Sequence, residues 1–189
     1  MAHIAILGLG NWGTAVARMW LLDGHKVKGW TIEQEVYESI IMEGINKKYL
    51  PDHSIEGIEV TMRLEEALEG VEIVVLAIPS SVILDVVDDV IPHLRPGHVL
   101  IDLAKGLAPG KRLISEAIHE KLDAANKTNP LAVVTGPTIA PEAAGGVMTT
   151  ALVASEDESV AKRLAETLTT QTFILHSASD PVGAELWGA

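Results

Sequence analysis

Apolar residues fall along the chain in short, nearly unbroken runs, separated by longer stretches where apolar and polar positions mix at helical spacing. The runs predict strands at 3–8, 25–30, 58–61, 71–78, 98–103, 131–135, 148–154 and 172–175. The run from Val71 to Ile78, bounded by Gly70 and Pro79, is broken only by Glu72, as expected of a strand covered on both faces. The amphipathic stretches predict helices at 12–23, 33–44, 63–69, 80–94, 111–124 and 156–169, with stops at Asp23-Gly24, Gly70 and Pro96-Gly97. Such strands alternating with helices define an α/β fold, a Rossmann-like, doubly wound and mainly parallel sheet. No repeat, low-complexity tract or linker divides the chain, so residues 1–189 are expected to form one domain, with its longest irregular stretch at about 45–57. Asp180-Pro181 has the form of an N-cap followed by a first-turn proline. The helix it opens, Val182 to Trp187, stops at Gly188-Ala189, an end that reads as cut rather than finished.

Composition narrows the chemistry. The chain has 189 residues, 48% of them hydrophobic, which is ample for a core of Val, Ile, Leu and Ala. Fourteen Lys and Arg stand against 26 Asp and Glu, a net charge of -12 with no long run of either sign. Nucleic acid and anionic membrane surfaces are disfavoured as partners, because binding them depends on neutralising phosphates. The absence of Cys excludes disulfides and thiolate catalysis. The first residues lack the basic start and apolar stretch of a signal peptide, and no apolar run approaches the roughly 18 residues of a membrane span. A cytoplasmic protein with no membrane insertion is therefore expected. The seven His show no metal-ligand spacing, so no metal is expected, and Ser80 and Ser81 lack the G-x-S-x-G turn of a hydrolase.

Gly8-Leu9-Gly10-Asn11-Trp12-Gly13 has the G-x-G-x-x-G form, directly after a predicted strand and at the opening of a predicted helix. In that context the first glycine permits a tight turn, the second lets backbone approach a pyrophosphate, and the third lets helix pack on strand. The diphosphate then rests on free N–H groups at the helix N-terminus. A glycine-rich turn without a ligand is the alternative. The fingerprint expects an acid about 20 residues beyond its glycines, and Glu33 stands at that position. It could accept from ribose hydroxyls or be a solvated first-turn residue, and both readings stay open. No Arg or Lys lies between Thr31 and Gly44, so a 2′-phosphate would meet Glu33 and Glu35 unpaired. That favours NAD over NADP, with NADP use still open.

Open α/β sheets bind ligands outside the carboxyl ends of their strands. Besides the glycine loop, the groups expected on that rim are Pro79-Ser80, Lys105-Gly106 and Gly136-Pro137-Thr138. Lys105 is the one fixed positive charge among them. It could orient a substrate hydroxyl or carbonyl and stabilise oxyanion charge, or be an ordinary loop lysine. Thr138 could donate a hydroxyl there or be a turn residue. Glu142, after Pro141 at a possible helix start, reads as a capping residue.

Together these residues resemble the NAD(P)-dependent glycerol-3-phosphate dehydrogenases. The resemblance rests on Gly8 to Ala15 with its unusual Trp12, Asn46 to Pro51 (N-x-x-Y-L-P), Ile78-Pro79-Ser80, Lys105-Gly106, Gly136 to Glu142, and Val182 to Ala189, in order along the whole chain. It implies hydride transfer between the nicotinamide cofactor and dihydroxyacetone phosphate, giving sn-glycerol 3-phosphate for phospholipid synthesis. It also implies that Asn11 and Trp12 contact the cofactor diphosphate and Ile32 lies beside the adenine. Lys105 would touch both substrate and nicotinamide as the catalytic lysine, Gly136 and Thr138 the substrate, and Ala140 the cofactor. The family commonly has Arg or His where this chain has Ile32. Its proton-donating lysine would fall one position past Ala189, in front of a helical domain that holds the substrate phosphate and most of a homodimer interface. The resemblance thus implies a fragment that binds cofactor but is inactive alone. Another hydroxyacid dehydrogenase of the same group, and a non-catalytic NAD-binding sensor, are the competing readings.

Overall fold

The computed structural model describes residues 1–188. The elements follow one another as β1 (His3–Leu7), α1 (Asn11–Leu22), β2 (Lys26–Trp30), α2 (Gln34–Glu43), β3 (Glu59–Thr61), α3 (Leu64–Ala67), β4 (Ile73–Leu76), α4 (Ile83–Val90) and β5 (Val99–Asp102). Then come α5 (Ile114–Ala124), β6 (Leu131–Thr135), α6 (Ala140–Ala144), β7 (Thr149–Ala154), α7 (Glu158–Leu168), β8 (Phe173–Ala178) and α8 (Pro181–Gly188). The strands form a single sheet in the order β3-β2-β1-β4-β5-β6-β7-β8. Every pairing is parallel except β6 with β7. The strand order reverses between β1 and β4, which opens a crevice at their carboxyl ends.

Burial follows from the period of two along each strand. Ile4 and Ile6 of β1, Ile73 and Val75 of β4, and Val99 and Ile101 of β5 belong to a core shared with Val16 and Trp20 of α1 and Leu164 and Leu168 of α7. Their neighbours Ala5, Leu7, Val74, Leu76 and Leu100 face the opposite way, onto Ile83 and Val87 of α4 and Ile118 and Leu122 of α5. Both faces of the central strands are therefore covered, which is why β4 carries no solvent-facing polar residue.

All eight predicted strands are present, and the departures concern helix ends. The stretch 80–94 yields α4 and then a 3-10 turn at Ile91–His93, because Pro92 has no N–H to continue an α-helix. The stretch from 111 begins its helix only at Ile114. Lys111 takes a positive φ of 63°, and Ala108 bridges Arg112 across a tight turn. The five-residue α6, anticipated only as a helix start at Pro141, lies in the return that makes β7 antiparallel. Asp180 does cap α8: its Oδ1 accepts from the Gly183 N–H at 2.8 Å.

One tie was invisible in the pattern. The N-cap of α5 is Leu113, which offers no side-chain acceptor. Glu185 of α8, 3% exposed, supplies it instead. Its carboxylate accepts from the Ile114 N–H at 2.5 Å, from the Ser115 N–H at 3.3 Å, and from the Ser115 hydroxyl. A carboxylate at a helix N-terminus meets both orphan donors and the positive end of the dipole. Replacing Glu185 with Ala is expected to lower unfolding stability by about 2–3 kcal/mol in urea titrations, because buried donors lose their acceptor. An unchanged midpoint would show that water can replace it.

Candidate cofactor-binding site

The crevice between β1 and β4 holds a cleft of about 430 Å³. Its lining draws on the ends of four strands: the glycine loop after β1, Trp30 to Glu33 after β2, Ala77 to Pro79 after β4, and Leu103 to Lys105 after β5. Tyr49, Val82 at the N-cap of α4 and Val86 within it complete the lining. Gly8, Gly10, Asn11, Trp12, Gly13, Ile32, Glu33, Pro79 and Lys105 are thus brought to one place. Gly136 lines a neighbouring hollow with Thr135, Pro137, Thr150 to Leu152, Trp187 and Gly188. Thr138 and Ala140 line neither cleft. Ala140 instead packs with Ala15, Leu50 and Ala144.

The three motif glycines are glycine for different reasons. Gly8 has a φ of 98°, and a Cβ there would stand 2.5 Å from the Ala77 carbonyl oxygen. A Cβ on Gly13 would stand 1.9 Å from the Gly8 carbonyl oxygen. Gly10 has φ -73° in extended backbone, and a Cβ would meet nothing within 4 Å. The protein's own packing therefore requires Gly8 and Gly13 but not Gly10, which borders the cleft. As N-cap of α1, Gly10 also brings no side chain to the first-turn N–H groups. Open space before uncapped donors fits a diphosphate, whose oxygens would accept from them. Gly136, by contrast, is already explained by packing, since its Cβ would lie 2.8 Å from the Thr150 carbonyl oxygen.

The rim beyond β2 is organised by the irregular loop after α2. Asn46 is fully buried, and its amide donates to the Leu9 carbonyl at 2.8 Å and to the Thr14 hydroxyl at 2.9 Å. Its Oδ1 accepts from the Tyr49 N–H at 3.3 Å. One side chain thus fastens this loop to the glycine loop and carries Lys48 and Tyr49 to the end of β2. The Tyr49 hydroxyl donates to Glu33 Oε1 at 2.8 Å, and the Lys48 ammonium reaches Glu33 Oε2 and Glu35. Lys48 first, then Tyr49, hold the Glu33 carboxyl below the usual carboxylate range, and the Glu33 carboxylate in turn pushes the Tyr49 hydroxyl up. The expectation that Glu33 and Glu35 stand unpaired is therefore wrong. The cation that meets them arrives from outside the 31–44 window, across the fold. Neither Asn46 nor Lys48 carried a sequence signal for these contacts, because each depends on where a loop without periodicity is pinned.

Asp102, the last residue of β5, was also missed. It is fully buried, its Oδ1 accepts from the Ala104 N–H at 2.8 Å, and its Oδ2 has no partner among the described residues. Burial pushes its carboxyl up to about 7, against the Ala104 hydrogen bond and helped by the Glu185 charge. Among the described residues no group of three or more His, Asp or Glu is placed to hold a metal ion, and no helix is long and apolar enough to cross a membrane.

The family model for the amino-terminal region of NAD-dependent glycerol-3-phosphate dehydrogenase matches residues 3–161. The chain belongs to this family. A glycerol-3-phosphate dehydrogenase [NAD(P)+] of Syntrophotalea carbinolica is 34% identical over 193 residues, covering 99% of this chain and 56% of the relative. One from Halothermothrix orenii is 34% identical over 188 residues, covering 99% and 54%. The crystal structure of glycerol-3-phosphate dehydrogenase from Coxiella burnetii superposes with a TM-score of 0.91 at 34% identity, covering 99% of this chain and 57% of that one. The chain therefore spans a little over half the length of the family members it matches. A UDP-D-ManNAc dehydrogenase from Pyrococcus horikoshii shares the fold at 18% identity, with a TM-score of 0.78.

Two outcomes are expected of this family domain. Replacing Asn46 with Ala removes the donor to the Thr14 hydroxyl and leaves the Leu9 carbonyl with the Thr14 hydroxyl alone, so stability should fall by about 1–3 kcal/mol. The Tyr49 fluorescence environment should change with it, and an unaltered loop would mean that Leu50 packing suffices to hold it. For Asp102, a folded carboxyl raised above its unfolded value contributes stability at low pH that is lost as pH rises from about 4 through about 7. The loss is on the order of a few kcal/mol. In Asp102→Asn this slope should vanish, so the variant gains on the parent as pH rises from 5 to 8 in urea titrations. Parallel pH profiles would rule the effect out.

Proposed function

We propose that this chain is the cofactor-holding domain of a glycerol-3-phosphate dehydrogenase, which interconverts dihydroxyacetone phosphate and sn-glycerol 3-phosphate. The observation that carries the reading is the open space at Gly10, in front of the uncapped start of α1, where the strand order reverses. In this reading the first-turn N–H groups near Asn11 and Trp12 hold the diphosphate. Gly8 and Gly13 keep that turn tight against the sheet. Glu33, aligned by Tyr49 and Lys48, accepts from the adenosine ribose hydroxyls, and exposed Ile32 lies beside the adenine. Pro79 and the apolar side chains of Ile78, Val82 and Val86 flank the other end of the cleft, toward Lys105.

The bound nicotinamide supplies or accepts the hydride. Lys105 stands on the rim at that end, on a turn held by Gly106 at a φ of 102°. Its ammonium would donate to the substrate's carbonyl oxygen and stabilise the alkoxide as charge develops there, a positioned charge of the kind that contributes most to such steps. Gly136 and Thr138, on the adjacent strand end, would hold the substrate. Ala140 would approach the cofactor only through the backbone at the start of α6. Assembly as a homodimer belongs to the same reading of the longer family members.

Calorimetry with NADH on the 189-residue chain tests the core of the proposal. Gly10→Val should abolish measurable binding, a fall of at least a hundredfold by exclusion of the diphosphate, while leaving the unfolding midpoint nearly unchanged because its side chain enters open space. Gly10→Val binding NADH as tightly as the parent would remove the diphosphate from this loop.

A further inference from the structure

Lys48 is not accounted for by the fold. It lies on the surface, its side chain 41% exposed, and covers no core. It nevertheless sits between two carboxylates, Glu33 and Glu35, and over the Tyr49 ring at 5.5 Å. Glu33 and Tyr49 both line the cleft, and Glu33 is where the ribose of a dinucleotide would be received. Two negative charges and one positive charge therefore face that point, and no Lys or Arg stands in the 32–43 segment that follows β2.

We propose that Lys48 sets the discrimination between NAD and NADP, acting as the counter-charge that a 2′-phosphate meets at the end of β2; this rests on the cofactor reading of the cleft. A ribose hydroxyl needs only an acceptor, and the Glu33 oxygens keep lone pairs free while each takes one bond from the loop. A 2′-phosphate needs the opposite: positive charge and donors. With Lys48 in place the cluster is singly negative, so the phosphate is repelled weakly, and the ammonium can turn from Glu35 to the phosphate without leaving its seat on Tyr49. Without Lys48 the cluster is doubly negative and no cation of this loop remains to receive it. Lys48 thus determines how far a site built on an acidic ribose acceptor tolerates NADP. The neighbouring Lys47 does not substitute, because its ammonium lies on Glu43, at the opposite end of α2 from Glu33.

The test is titration of the chain with NADH and NADPH, parent beside Lys48→Ala, Lys48→Glu and Glu35→Gln. In Lys48→Ala the NADPH affinity should fall on the order of tenfold relative to NADH, the effect of one unit charge on a dianionic phosphate about 6 Å away in a water-like medium. Lys48→Glu should widen the gap further, and Glu35→Gln, which releases the ammonium, should narrow it. All three differences should shrink between 50 mM and 500 mM salt, as screening of exposed charges requires. An unchanged NADPH-to-NADH ratio in Lys48→Ala, with the parent binding NADH, overturns the role of Lys48 and leaves the cleft assignment standing. A parent that binds neither cofactor overturns both.

Discussion

A single close approach organises the site. The backbone of Gly13 lies so near the Gly8 carbonyl that no side chain fits between them. α1 can therefore begin within four residues of the last residue of β1 and press directly onto the sheet. The Gly8 N–H donates to the Trp30 carbonyl and the Ala77 N–H to the Leu7 carbonyl, at 3.0 and 2.8 Å, so the turn is bonded to strands on both sides. The start of α1 is consequently fixed over the gap between β1 and β4, with first-turn donors that no side chain of the described residues caps. Everything else in the cleft is placed relative to that helix end, including Lys105, two strands along in the sheet order.

The second layer of organisation is polar. A buried amide is costly unless bonded, and Asn46 uses both its donors and its acceptor locally. Because two of its partners, Leu9 and Thr14, belong to the glycine loop and α1, the loop of Lys48 and Tyr49 is fastened to the glycine-loop end of the cleft. The charge around Glu33 is thereby tied to the geometry of the glycine loop. A flexible loop bearing the same lysine would lose that ammonium to solvent, since an exposed ion pair by itself is worth little.

This division explains what could be read from the chain. Strands buried on both faces announce themselves in one dimension: β4 reads as a continuous apolar run and β5 as one closed by Asp102, and the parallel order follows from their alternation with helices. The glycine loop was equally legible, because its strand, turn and helix are contiguous. Contacts between distant segments were not. Nothing in the sequence at Lys48 distinguishes it from any surface lysine, and the cation beside Glu33 is close in space but 15 positions away along the chain. Asn46 belonged to a recognisable segment, but its burial became apparent only once the loop closed on Leu9. Helix ends failed for local reasons, Pro92 shortening α4 and the positive φ of Lys111 delaying α5.

Two buried carboxylates near the strand ends make the same point energetically. Glu185 accepts from two backbone N–H groups and a hydroxyl, so its burial is offset by bonds to the charged form. Asp102, on the Leu100 side of β5, has one such bond and an oxygen with none. The same low-dielectric interior that makes Glu185 an effective cap makes an ionised Asp102 expensive, and the two negative charges oppose each other. The sheet thus carries at Asp102 a group that is easier to keep neutral than charged. Its one hydrogen bond holds the N–H of Ala104, the residue before Lys105. Ionising Asp102 strengthens that bond while raising the cost of its buried, unpartnered oxygen. Backbone that presents the lysine is therefore anchored to a carboxyl whose charge the core resists, and the lysine's position on the rim is coupled to packing beneath it rather than to the loop alone.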